Sequence, residues 1–205
     1  NSGFTTEIIY SLLFGIALAT LIPLYTFFIL KQKLSISDAG AVAAAYGSVS
    51  AVTFVAAVSF LEAQKINFGG HMVAVMALME SPSIIVGVIL MMKFTKDKTS
   101  KVNIKSIVQH SFTNGSVLLL MGSLLIGLIA DTKQADGIKP FTTDIFKGFL
   151  AIFLLEMGMV TAKRFSAFKK YGWFATLFAF IIPAINGSIV AFASQYVTHD
   201  IGNRF

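Results

Sequence analysis

Six apolar stretches divide this chain: Glu7–Leu30, Asp38–Ala63, His71–Met92, Asn114–Ala130, Ile145–Val160 and Gly172–Val197. A helix needs about 20 residues to cross the ~30 Å hydrocarbon layer of a bilayer. That layer holds no water, so every backbone N–H and C=O must find its partner inside the protein, and runs of this kind are helical. The expected fold is all-α, a polytopic membrane helical bundle of about six transmembrane segments. Composition agrees: 56% of residues are apolar, 13% are charged, and the mean hydropathy is +0.78. A soluble domain carries about 25% charged residues.

The charges that remain lie between the apolar runs. Lys31, Lys33, Lys93, Lys96, Lys98, Lys101, Lys105, Lys163, Arg164, Lys169 and Lys170 fall on one side if the six segments simply alternate, whereas Lys65, Lys133, Lys139, Lys147 and Arg204 fall on the other. Short cytoplasmic loops are enriched in Lys and Arg, so the bias places the loop Phe94–Lys105 in the cytoplasm and both ends of the chain outside. The second segment is then a crossing segment, interrupted near Gly47, and not a re-entrant one. The net charge of +6 encodes orientation and is not a nucleic-acid signature. The loop FTKDKTSKVNIK solvates the cytoplasmic surface or docks an acidic partner. Cysteine is absent, which excludes a disulfide framework and a thiolate metal site. The opening NSGFTTE has no basic region before its apolar run and reads as a loop, not as a signal peptide. With the polar ending THDIGNRF, it is the pattern expected of a piece cut from a longer chain.

The second segment holds the most telling residues. GAVAAAYGSVSAVTFVAAVS, residues 40–59, is apolar enough for a bilayer, yet its middle is crowded with Ala, Gly, Ser and Thr. Small residues of this kind pack helix against helix, or unwind where backbone lines a polar cavity. In secondary transporters, broken helices bind the coupling ion and the substrate. The hydroxyls of Ser48, Ser50 and Thr53 and the carbonyls freed by a break suit a cation. The amides at the start of a half-helix suit an anion. The competing reading is a tight helix contact, with each hydroxyl bonded back to the preceding turn.

Glu80 lies near the middle of the third segment, ahead of Ser81 and Pro82. A carboxylate at that depth costs about 3 kcal/mol on insertion scales and needs a partner, a cavity or an ion. Pro82 removes the amide that would bond the Leu78 carbonyl. Glu80 is read as a sodium ligand or proton site, or else as a protonated carboxyl bonded to another helix. Glu156 is read as a structural hydrogen-bonding group and Glu62 as a solvated helix end. Pro183, Asn186, Gly187 and Ser188 are read as a hinge or packing element in the sixth segment. His71, His110 and His199 lie at segment ends, and Trp173 reads as an interfacial anchor. No nucleophile with its base, no phosphate loop and no metal-ligand spacing is visible, so no enzyme is expected.

Three runs together resemble a known family. AAAYGSVSAVTFVAAVSFLEAQKI, ALMESPSIIVGVIL and GFLAIFLLEMGMVTAKR, in that order and with a basic loop between the last two, are similar to the sodium-dependent bicarbonate permeases. The resemblance covers about residues 5 to 198. It implies a ten-helix transporter of two inverted five-helix repeats (5+5), of which this chain would hold helices three to eight. Residues 1–93 would be the last three helices of the first repeat, including the crossover helix at 38–63. Residues 94–113 would be the cytoplasmic linker, and 114–205 the first three helices of the second repeat. It implies sodium-coupled uptake of bicarbonate across a prokaryotic inner membrane, with sodium as the coupling ion and no other cofactor. Gly47, Ser50 and Thr53 match the family motif. Ser48 and Ala51 lie inside it but vary from it, and Val52 stands where a Ser is expected. Glu80 matches an acidic position. The substrate and ion site is therefore expected at Gly47, Ser48, Ser50, Ala51, Thr53 and Glu80, with sodium on Ser50, Thr53 and Glu80. Expected partners are bicarbonate or a related small anion, sodium and membrane lipid. The resemblance also suggests a homotrimer and a PII-like cytoplasmic regulator. An anion-binding receptor or regulatory subunit, a passive channel, and a symporter for another anion remain open.

Overall fold

The computed structural model describes residues 5–95 and 115–205, together with Gln109 and Thr113. The described residues form helices and the short connections between them, with no strand among them. The helices are α1 (Thr6–Leu30), α2 (Ile36–Gly47), α3 (Ala51–Ala63), α4 (His71–Phe94), α5 (Gly115–Ile129), α6 (Thr132–Lys139), α7 (Phe146–Lys163), α8 (Phe165–Ala193) and α9 (Ile201–Arg204). A π-helical turn, Pro140–Ile145, leads into α7, and a 3-10 turn, Ser194–Tyr196, follows α8. Most of the expected basic linker at 94–113, His110 included, lies outside the described residues.

Among the described residues, four helical stretches are long and apolar enough to cross a membrane: Thr6–Leu30, Ile36–Ala63, His71–Phe94 and Gly172–Tyr196. The second joins α2 and α3 end to end. The fourth and fifth expected segments are shorter helices. α5 has 15 residues, and the 18 residues of α7 include Lys147, Glu156 and Lys163.

The chain forms two compact units. One comprises residues 1–122 and 188–205, the other residues 123–187. The core of the first is the packing of α1, α2 and α4 on one another. Along α1, the buried residues Ser11, Gly15, Ala19, Ile22, Thr26 and Leu30 recur every three or four positions and form one face. Within lipid, helices gain little from leaving the solvent, so close contact must come from small residues. A Cβ on Gly15 would lie 2.6 Å from Val75 Cγ1, and one on Gly87 would lie 2.6 Å from Ala44 Cβ. Those glycines set the α1–α4 and α2–α4 distances.

The contacts also fix direction. The first half of α1 meets the start of α4 at Gly15 and Val75, and the end of α1 meets the end of α4 at Phe27 and Phe94, 5.4 Å between ring centroids. α1 and α4 are therefore parallel. Gly40, near the start of α2, packs on Met91 near the end of α4, so α2 runs antiparallel to both. This alternation is the arrangement the charge bias predicts. At the shared end of α1 and α4, the Lys31 ammonium sits 4.3 Å from the ring centroid of Phe28 and 4.1 Å from that of Phe94.

The opposite end is tied by polar groups. Thr198 donates its hydroxyl to the Glu7 carboxylate, and Asn203 Nδ2 donates to the same oxygen at 3.3 Å. The Gly69 amide donates to Asn203 Oδ1 at 2.6 Å, and Phe60 stacks on Phe205. The last residues thus fasten the start of α1 to the α3–α4 connection.

Helix ends follow local chemistry. Ser35 caps α2 by accepting from the Asp38 amide at 3.1 Å. α3 stops in a Schellman turn, in which Ile66 N–H donates to Leu61 O at 2.9 Å and Lys65 N–H to Glu62 O at 3.0 Å. Lys65 takes the left-handed backbone (φ 56) that glycine usually fills there. In the second unit, Asp131 and Gln134 form a reciprocal capping box that starts α6, a polar helix between two of the apolar runs.

The residues Pro183, Asn186, Gly187 and Ser188, read as a hinge or packing element, lie within α8, which runs helically through them. An interruption lies earlier, at Gly172 (φ 64, ψ −167). A proline removes a single ladder bond, whereas this backbone conformation is open essentially to glycine alone.

Candidate functional site

The long second segment does break, and where expected. α2 ends at Gly47, Ser48 (φ −104, ψ 160) and Ser50 (φ −65, ψ 131) are extended, and α3 begins at Ala51. Two helix ends of opposite polarity border this gap. The end of α2 carries about half a negative charge on its last carbonyls, and the start of α3 about half a positive charge on its first amides. The Ser50 side chain makes no capping bond to those amides. Hydroxyls reach the carbonyl side instead. Ser48 Oγ donates to Ala45 O at 3.5 Å, and Ser83 Oγ, from α4, donates to Ala44 O at 2.5 Å.

The break is held against two other helices. A side chain on Gly47 would fall on both Pro23 of α1 and Ser83 of α4. Only glycine lets the end of α2 enter the crossing of α1 and α4 at that point. Gly47, Pro23 and Ser83 are buried, Ser83 completely. Ser50, Ala51 and Thr53, on the far side of the gap, are exposed.

The predicted site residues therefore divide. Gly47 and Ser48 form the closed, carbonyl side, and Ser50, Ala51 and Thr53 form the open, amide side. Glu80 lies on α4, partly buried and engaged in a contact of its own. It stands three residues before Ser83, which makes the two neighbours on one helix face. α4 is continuous through Glu80 and Pro82. Glu62 is exposed at the end of α3, as a solvated helix end should be, and Glu156 is exposed on α7. Among the described residues, no group of His, Cys, Asp and Glu is placed to hold a metal ion.

Sequence reasoning missed Ser83 and Pro23. A serine beside a proline is an ordinary feature of membrane helices, and nothing local in the sequence says that residues 23, 47 and 83 converge. A small residue at the crossing was legible, but its partners were not.

Carbonyls and hydroxyls suit a hard cation and exposed amides suit an anion. An all-helical membrane protein with such a break belongs to the class of polytopic transporters. The chain is a member of the Na+-dependent bicarbonate transporter superfamily, whose family model matches residues 1–205. No curated protein matches the chain by sequence. Family membership makes it a multi-pass membrane transporter and not an enzyme, with bicarbonate and sodium as the solutes that the family implies.

Proposed function

We propose that the protein is a secondary active transporter in which sodium entry drives bicarbonate uptake across a prokaryotic inner membrane. The observation that carries this reading is the gap between Gly47 and Ala51, which sets a carbonyl end and an amide end side by side. Sodium would bind between the carbonyl end of α2 and the hydroxyls of Ser50 and Thr53 across the gap, aided by Glu80, and the anion would bind next to it at the amides that start α3. Each ion lowers the electrostatic cost of the other, which is how a shared site couples them. One sodium entering with one bicarbonate moves no net charge, so the driving force is the sodium concentration gradient, about 1.4 kcal/mol for each tenfold ratio, which can draw the anion in against its own gradient. One repeat of a 5+5 arrangement would then move against the other to alternate access. In this reading residues 1–93 and 114–205 belong to different repeats, and the full assembly is a homotrimer embedded in lipid. The basic loop at 94–113 is the place for a PII-like regulator.

The test is labelled bicarbonate uptake into proteoliposomes holding the full-length protein, with and without an inward sodium gradient. Accumulation above the equilibrium level that requires the gradient supports symport. Uptake that only equilibrates points to a channel. Binding without uptake points to a receptor, and uptake of another small anion would turn attention to Val52, where a hydroxyl is missing.

A further inference from the structure

Hydroxyls inside membrane helices usually bond back to their own turn. Here Thr20 donates to Ile16 O at 2.9 Å, Thr26 to Ile22 O at 2.6 Å and Thr161 to Met157 O at 2.8 Å. Ser83 does otherwise. Its fully buried hydroxyl reaches across to Ala44 O, in the last turn of another helix, at 2.5 Å. That carbonyl lies in the last turn of α2, close to where the amide donors of the ladder run out. A Cβ on Gly47 would collide with both the Ser83 hydroxyl and the Pro23 ring. The last turn of α2 is thus held by one hydrogen bond and by the close approach of these two side chains. Ser83 is also one helical turn from Glu80 on the same face of α4.

We propose that Ser83 is a positioning residue for the cation half of the site. Its hydroxyl takes up Ala44 O and thereby fixes where the carbonyl end of α2 lies relative to Glu80. The inference rests on the sodium-coupled reading above. Ser83 touches neither ion in this account. It sets the geometry in which the α2 end and Glu80 meet sodium together. Losing the bond frees the last turn of α2 and spreads that geometry, which weakens sodium binding more than anion binding.

The test compares wild type with Ser83→Ala in the full-length protein. Two quantities are read: the sodium concentration that half-saturates bicarbonate uptake in proteoliposomes, and the rise in melting temperature on adding sodium in detergent. A neutral hydrogen bond is worth ~1 kcal/mol, so the half-saturating sodium concentration should rise about fivefold. The half-saturating bicarbonate concentration at saturating sodium should stay within about twofold, since the anion half is untouched. A purely structural serine would lower the melting temperature and the maximal rate without moving the sodium dependence, and that result would overturn the inference. If Ser83→Ala does not fold, Ser83→Cys replaces it. A thiol is a weak donor, so its sodium dependence should shift the same way, and an unchanged value overturns the inference equally. Wild type without any sodium response in either assay would overturn the coupled reading and this inference with it. A wild-type response matched by both variants would overturn this inference alone.

Discussion

α4 and the α2–α3 pair cross the same unit, yet they treat their irregular residues in opposite ways. α4 carries Pro82 next to a carboxylate and remains one helix of 24 residues. The α2–α3 stretch contains no proline and breaks at Gly47–Ser50. α1 and α8 repeat the first behaviour, staying helical through Pro23 and Pro183. A proline deletes one bond of the ladder and leaves the rest in place, and neighbouring helices tolerate the freed carbonyl. A full break ends the ladder, leaving several carbonyls and amides at once. It forms where those groups find other partners, as Ala44 and Ala45 do with Ser83 and Ser48, and where glycine lets the ends pack closely. In this protein the prolines shape the wall and the small residues make the opening.

The largest effect expected from this contrast is at Gly47. Gly47→Val drives a branched side chain into Pro23 and Ser83. Overpacking of that kind costs about 1–3 kcal/mol, and it falls on the geometry of the gap. Sodium-driven uptake should drop more than about tenfold, and near-normal uptake would show that the gap is not the site. Next is Gly87→Leu, which drives a side chain against Ala44 and Gly40 and so separates α2 from α4. It should destabilise the protein by on the order of 2 kcal/mol, read as a fall in melting temperature in detergent. An unchanged melting temperature would mean that the α2–α4 crossing does not hold the unit together.

Ser50→Ala should separate stability from function. Removing an N-cap side chain usually costs ~1 kcal/mol, but Ser50 makes no capping bond, so the melting temperature should barely move. The half-saturating sodium concentration should rise about tenfold, in line with the greater strength of bonds to a charged group. A large stability loss with unaltered sodium dependence would make Ser50 a cap and not a ligand. The smallest effect is expected from Pro82→Ala. It restores an amide to a helix that is already continuous, so stability should change by less than about 1 kcal/mol and uptake should persist. If folded Pro82→Ala protein lost uptake, the carbonyl that Pro82 releases would belong to the site and the contrast would fail.

Much of this was legible in the chain. The apolar runs gave the helices, the small residues at 40–59 gave the break, and the lysines at 31, 33 and 93 gave the common end that the Phe27–Phe94 contact displays. Other features were not legible. The polar residues at 131–139 form a helix because Asp131 and Gln134 cap each other, a signal that a search for apolar periodicity passes over. Glu7 looked like a boundary residue, and its partners Thr198 and Asn203 lie almost the whole chain away.

The sequence by itself determined the helical membrane class, the family, and the place where the ladder would end, because backbone satisfaction in hydrocarbon and the need for small residues at crossings are local demands that residue types answer directly. Only the tertiary structure decided which groups would surround that ending. Pro23 and Ser83 meet Gly47 because three helices cross within a side chain's width of one another, and a contact between residues so distant in sequence is set by packing, which no single stretch encodes.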